Sequence, residues 1–94
     1  MLTSYAAVAT STPARYAKQL LSHLGRKVVF TPDGEDSWTS QIGGARAGIA
    51  FSEGQLTLRA EAPDEAGLGQ VEHALGSHLE RFGHRDHLVV TWHR

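Results

Sequence analysis

The sequence contains no cysteine among its 94 residues. This absence excludes disulfide bonds, cysteine nucleophiles and thiolate metal sites, and it leaves the redox compartment open. Basic residues are not in excess either, because 9 lysines and arginines stand against 10 aspartates and glutamates, which gives a net charge of -1. Nucleic-acid binding is therefore disfavoured, since phosphate backbones require a basic protein surface.

Long apolar segments are also missing. No run of about 18 apolar residues occurs, so we expect no membrane span. Residues 1–12 lack the basic start and the continuous apolar core of a secretory signal. Together these absences predict a cytoplasmic protein. Residues 1–94 are expected to form a single domain, because a chain of this size buries roughly 60–65% of its unfolded surface in one core.

The N-terminal quarter predicts one strand followed by one helix. Thr3–Thr10 is partly alternating and free of helix or strand breakers, which is typical of a strand. Thr12 can cap a helix that has Pro13 at its first position, and Gly25 can end that helix. Apolar residues recur at helical spacing, at Ala14, Ala17, Leu21 and Leu24.

Four short segments separated by turn residues predict an antiparallel meander. They are Lys27–Thr31, Trp38–Ile42, Ala45–Phe51 and Gln55–Glu61. Proline, glycine and acidic residues favour turns between them. The last segment has the clearest strand pattern, because its apolar and polar side chains alternate strictly.

The C-terminal third predicts a second helix and a final strand. Pro63-Asp64-Glu65 begins the helix with acidic groups that its dipole favours, and the apolar stripe ends at Phe82. Gly83 can stop the helix, and His87–His93 is predicted as a strand with Trp92 buried. The order β-α-β-β-β-β-α-β predicts an α+β two-layer sandwich, with both helices on one face of an antiparallel-rich sheet.

Two longer segments carry a family resemblance. Thr12–His23 and His78–Trp92, together with Lys27 and the strand Leu56–Ala60, resemble the bacterial family catalogued as domain of unknown function 2218. The resemblance implies a compact α+β domain like the TATA-binding-protein superfold, and it implies no established activity. It also implies an association with siderophore-interacting flavoproteins, so that one expected partner is such a flavoprotein and one expected role is accessory to siderophore-iron utilisation.

The two helix histidines, His23 and His78, are the first candidates for a site, because each borders an apolar face. One interpretation is a packed histidine that bonds to a carbonyl or carboxylate, and the other is a ligand-binding or proton-handling group. Antiparallel helices of about 12 residues, about 18 Å long, are expected to hold the two histidines apart. We therefore predict no shared metal site and no bound metal or other cofactor.

A cationic set that could bind an anion is the second candidate, formed by Arg15, Lys18, Arg81 and Arg85, with Tyr16 beside His23. Nearby carboxylates could equally neutralise these cations in ion pairs of little energy. A basic patch free of carboxylates would favour anion binding. The spacing of His84, Asp86 and His87, with His93 further along, would also suit a divalent ion, but such spacing is common and a solvated turn is the favoured interpretation.

The uncovered face of the sheet is the last candidate surface. It is expected to carry Tyr5, Ala7, Val29, Gly48, Ala50, Thr57, Arg59, Val89, Thr91 and His93. Such a face is either solvated or the surface of a homodimer or another partner.

No catalytic residue is assigned, because no nucleophile and base are suitably spaced and no glycine-rich phosphate loop occurs. The favoured function is a non-catalytic binding or interaction module of unknown ligand. The alternatives are an iron- or anion-binding accessory domain that uses His23 or His78, and a small enzyme that uses histidine acid–base chemistry.

Overall fold

A five-stranded antiparallel sheet forms one layer of the molecule. The computed structural model describes all 94 residues. The strands are β1 Leu2–Ala9, β2 Thr31–Pro32, β3 Ser37–Ile42, β4 Ala45–Ser52 and β5 Gln55–Ala62. Their spatial order is β1-β5-β4-β3-β2, and every neighbouring pair is antiparallel. The predicted α+β class with an antiparallel sheet is confirmed.

Two helices form the second layer, α1 over Pro13–Leu24 and α2 over Glu65–Phe82. The Asp64 side chain accepts a hydrogen bond of 2.7 Å from the backbone N–H of Gly67, which satisfies one of the free donors at the start of α2. Thr12 makes no such bond at the start of α1. Neither helix combines the length and the apolar character needed to cross a membrane.

The core lies between the helices and one face of the sheet. Alternate residues of β1, β4 and β5 point into it, as the alternation of the sequence predicts, and the apolar stripes of both helices close it. The most completely buried large side chains are Leu20, Ile49, Leu56, Leu58, Leu68, Leu75 and Leu79. Because all of these residues face one side of the sheet, the opposite sheet face has no helix over it.

The segment Lys27–Phe30 is not a strand, which corrects the predicted bounds of the first meander strand. The backbone N–H groups of Lys27 and Val28 both turn back to the carbonyl of Leu24, at 3.0 Å. These bonds add a last turn after α1, so the two N–H groups are not available to a neighbouring strand. The paired part of β2 is therefore only two residues long, and Val29 is 80% exposed.

The segment His87–His93 makes a single β-bridge, between Tyr5 of β1 and His93, instead of the predicted strand. The two N···O distances of this bridge are 3.0 and 2.8 Å. Further back along the segment, the backbone N–H of Val90 donates to the Glu80 side chain of α2 at 2.9 Å. The helix thus takes a backbone group that a continuous strand would use for pairing.

Gly76 of α2 allows the C-terminal segment to approach the helix closely. A Cβ at this position would lie 3.2 Å from the indole nitrogen of Trp92 and 3.4 Å from a methyl group of Val90. Trp92 is half-buried and packs against the edge of the core, so the burial predicted for it is only partial.

Candidate functional site

His23 and His78 meet on the outer side of the two helices, and we call these two residues the imidazole pair. The ring centroids lie 4.5 Å apart and the ring planes are tilted by 55°. Phe82, one turn beyond His78, presents its ring to His23 at a centroid distance of 5.3 Å in an edge-on arrangement. Both imidazoles are half-buried. The pair is therefore a preformed aromatic cluster that stays accessible from solvent.

The expected separation of these two histidines was wrong. The helices do run antiparallel, since Tyr16 near the start of α1 lies against Asp86, which follows the end of α2. However, α1 has 12 residues and α2 has 18, so the two helices do not overlap along their full lengths. In this stagger the last turn of α1 lies against His78, four residues before the end of α2. The prediction failed because it treated the helices as equal in length and fully overlapping.

The packed interpretation of His78 is also only partly met. Neither imidazole of the pair makes a hydrogen bond to another group of the protein. A carbonyl or carboxylate partner, which a structural histidine usually has, is thus missing. The ring nitrogens remain free to bind a ligand.

The electrostatic surroundings of His78 are basic. Burial lowers the pKa of His78 below its usual 6.5, and the nearby charges of His23, Arg81, Lys27 and His73 lower it further. No carboxylate is among the groups that act on this pKa. We call Lys27 and Arg81 the basic patch, since His73 lies among acidic residues on another side of α2. The basic patch lies beside an imidazole that is held in its neutral form near pH 7.

The carboxylates closest in sequence to the basic patch are engaged elsewhere. Glu80 accepts the backbone N–H of Val90. Glu72 binds the guanidinium of Arg94 at 3.0 Å, and this bond lowers the pKa of Glu72. Asp86 accepts a hydrogen bond from the hydroxyl of Tyr16. The negative charges therefore lie on the far side of α2 and beyond its end.

Tyr16 is a buried residue whose hydroxyl donates to Asp86. This bond raises the pKa of Tyr16, and burial adds to the increase. The hydrogen bond between Tyr16 and Asp86 connects α1 to the short 3₁₀ turn His84–Asp86 that follows α2. Tyr16, a predicted ligand-binding residue, thus has a structural partner that occupies its polar atom.

The three arginines predicted for the site do not converge. All three are exposed and none forms an ion pair. The charge of Arg81 lowers the pKa of His78, whereas the charge of Arg15 acts on the pKa of Tyr16. Arg85 belongs to the 3₁₀ turn. Only Arg81 therefore joins the imidazole pair in one electrostatic environment.

Two residues of the site were not predicted as part of it. The sequence pattern assigned Phe82 to the apolar stripe of the second helix and Lys27 to the start of a strand. Lys27 follows His23 by four residues, and its N–H continues the helical turn by bonding to Leu24. That spacing was the signal available in the sequence, because residues four apart share one face of a helix.

The remaining histidines do not assemble a metal site. His93 pairs with Tyr5 at the edge of the sheet, with ring centroids 5.8 Å apart, while His84 and His87 flank the 3₁₀ turn. Nowhere do three histidine, aspartate or glutamate side chains group in a way that could hold a metal ion.

The sequence of the chain matches a known bacterial family. The model of the family described as "Uncharacterized protein conserved in bacteria (DUF2218)" matches residues 5–93, which is almost the whole chain. The chain belongs to this family. The resemblance seen in the two sequence segments is thereby confirmed, and the family description assigns no activity.

A solved structure resembles this DUF2218 chain along its full length. It is the NMR structure of PA4090 from Pseudomonas aeruginosa, with a TM-score of 0.81 and 22% sequence identity. The match covers 99% of the DUF2218 chain and 96% of the other. At this identity the likeness shows the fold alone. No curated protein matches the chain.

The open sheet face of the DUF2218 domain is a shallow polar trough of about 560 Å³. Gly48 and Ala50 of β4 form its floor, and Thr39 of β3 and Arg59 of β5 stand beside it. Most residues predicted for this face are there, at Tyr5, Ala7, Gly48, Ala50, Thr57 and Arg59. Three others, Val29, Val89 and Thr91, lie outside every strand.

Proposed function

We propose that this DUF2218 domain is a non-catalytic module that binds a small anionic ligand at the imidazole pair. One observation carries the proposal: His23 and His78 come from different helices and meet where every neighbouring charge is basic. Protonated imidazole, ammonium and guanidinium groups donate charge-assisted hydrogen bonds to carboxylate, sulfate or phosphate oxygens. Lys27 and Arg81 add charge beside the pair.

Binding is favoured over catalysis by the partners of the imidazoles. A histidine that acts as general base normally lies within hydrogen-bond reach of a nucleophile, and a third group orients it. His23 and His78 have aromatic neighbours instead, and Asp86, the carboxylate that bonds to α1, accepts its bond from Tyr16. The residues thus supply donors for an anion without an activated nucleophile.

Anion binding is also favoured over iron binding. A two-histidine site offers fewer protein ligands than a typical metal centre, and no third candidate ligand joins the pair. Lys27 and Arg81 would repel a cation at this position. The same two residues would attract an anion.

The wider role remains a prediction from the family resemblance. Accessory action in siderophore-iron utilisation, a flavoprotein partner and a cytoplasmic location all belong to this prediction. A homodimer formed through the open sheet face is a separate prediction, because the trough of β3, β4 and β5 has no cover within the chain.

Titration with sulfate and citrate, followed by NMR of backbone amides and histidine rings, tests the proposal. We expect saturable shifts at His23 and His78. The variant Lys27→Ala should weaken binding roughly 10- to 150-fold, because a charge-assisted hydrogen bond contributes about 1.5–3 kcal/mol. The exposed Arg85→Ala is the matched control and should leave the affinity unchanged. Equal weakening by both variants, or shifts spread over the whole surface, would contradict a site at the imidazole pair.

A further inference from the structure

We infer that the imidazole pair takes up a proton together with its anion, so that affinity falls as the pH rises through neutrality. This inference rests on the proposed function and specifies its regulation. It concerns the protonation of the two imidazole rings in the free protein and in the complex.

In the free protein the two rings cannot easily carry charge at the same time. Their centroids are only 4.5 Å apart, and both rings are partly withdrawn from solvent. The charged groups that act on His78 are His23 from α1, Lys27 from the turn after α1, Arg81 from the same helix, and more weakly His73. All of these are basic, so a proton added to His78 meets only repulsion.

An anion reverses this balance. A negative charge beside both rings replaces repulsion by attraction, and it does so at a place where no carboxylate of the protein can serve that purpose. The proton that the basic patch repels in the free protein becomes favourable in the complex. Anion and proton therefore help each other to bind, and by linkage each raises the affinity of the other.

The hydrogen-bond chemistry of imidazole leads to the same result. A neutral imidazole has one N–H donor and one nitrogen that can only accept, whereas the protonated ring has two donors. The oxygens of a carboxylate or sulfate ion can only accept. An oxyanion held between His23 and His78 is bound best when its oxygens meet N–H groups, which favours the protonated ring. The class of ligand is thus an oxyanion with at least two accessible oxygens.

Sulfate is the appropriate probe because it does not itself titrate near neutral pH. The pKa of each histidine is measured by NMR of its ring protons in sodium chloride and in sodium sulfate of equal ionic strength. We expect sulfate to raise the pKa of His78. The ring protons of His84, in the exposed 3₁₀ turn, should show no saturable response to sulfate. The sulfate Kd should increase by up to about tenfold from about pH 6.5 to about pH 7.5, the limit that uptake of one proton sets.

The variant His78→Gln keeps a polar side chain that cannot titrate. It should bind sulfate more weakly and with a Kd that depends less on pH than that of the wild type, whereas His84→Gln should behave like the wild type. A wild-type Kd that is the same at both pH values would overturn proton uptake and leave anion binding intact. Failure of sulfate to bind at either pH would overturn both this inference and the proposed function.

Discussion

At the scale of single residues, His78 is held by aromatic contacts and not by a hydrogen bond. Its ring stacks near Phe82, at a centroid distance of 6.5 Å, and contacts His23 at 4.5 Å. Truncation would therefore leave no polar partner unsatisfied. The sequence-based expectation of a larger loss, from an orphaned partner, no longer applies.

The variant His78→Ala should accordingly lower the free energy of unfolding by about 0.5–1.5 kcal/mol, the usual range for aromatic pairs. Urea unfolding near neutral pH measures this change. His84→Ala, at an exposed position, should cost under about 0.5 kcal/mol. A loss several times larger for His78→Ala would indicate a hydrogen-bond partner for the ring.

The same residue makes stability depend on pH. The pKa of His78 is lower in the folded protein than its ordinary 6.5, first because of burial and then because of its basic neighbours. As the pH falls, the unfolded chain therefore binds the proton before the folded protein does. The contribution of His78 to the free energy of unfolding is fully present above about pH 6.5. It decreases as the pH falls from there towards the pKa of His78 in the folded protein.

Urea unfolding of wild type and His78→Gln, without added oxyanions, at about pH 7.5 and about pH 5.5 isolates this effect. The wild type should lose more stability on acidification than the variant, because glutamine cannot take up a proton. The control is His84→Gln, which should lose as much as the wild type. If His78→Gln loses the same amount as well, the pH dependence arises elsewhere in the chain.

At the scale of elements, the chain turn that follows the end of α2 depends on the absence of a side chain at Gly83. A Cβ there would lie 2.3 Å from the Cδ1 atom of Leu88, with Cγ at 2.5 Å and Cβ of the same side chain at 2.8 Å. Gly69, in the same helix, has no atom within 4 Å of the corresponding position. The two glycines thus form a matched pair for substitution by alanine.

Gly83→Ala should destabilise the protein by about 1–3 kcal/mol, because Leu88 would have to leave its buried position. Gly69→Ala should instead stabilise it by up to about 1 kcal/mol, from the higher helix propensity of alanine. Thermal and urea unfolding of both variants provide the comparison. Destabilisation by Gly69→Ala as large as that by Gly83→Ala would show that helix packing, and not the stop, limits both sites.

The sequence predicts an element well when its side-chain pattern matches its backbone hydrogen bonding. In β5 the strict alternation of Leu56, Leu58 and Ala60 with polar residues was sufficient to predict a strand. The reason is that this strand pairs with a neighbour on each side. His87–His93 alternates too, but a side-chain pattern does not reveal that Glu80 takes the N–H of Val90. Edge segments are therefore harder to predict than central strands.

The candidate site was predictable in its residues but not in its geometry. The helical spacing marked His23 and His78 because each borders an apolar stripe. Their contact depends on the stagger of two helices of unequal length, and this stagger is set by tertiary packing such as the Tyr16–Asp86 bond. Nothing in the local sequence encodes a relation between residues so far apart.

At the scale of the whole molecule, protection from solvent should be graded across the sheet. β5 has paired neighbours on both sides and lies beneath both helices, whereas the C-terminal segment has one bridge to β1. Amides of β5 should exchange with solvent only on global unfolding, and those of Val89–Thr91 by local opening.

Native-state hydrogen exchange measures this gradient directly. We expect the slowest exchange at Leu56 and Leu58, and exchange orders of magnitude faster at Val29, which lies outside the sheet. Amides near Val29 serve as the internal control for intrinsic rates. Equal protection of β5 and the C-terminal segment would contradict the single-bridge arrangement.

The pairing of β1 with β5 has a consequence for how the chain is made. Leu2 pairs with Ala62 and Ala9 with Gln55, so the first strand synthesised has no partner until the last strand leaves the ribosome. The hairpins β3–β4 and β4–β5, by contrast, close over short turns as soon as they emerge. During translation β1 therefore stays unpaired until β5 has been made, and its docking beside β5 then joins it to the rest of the sheet.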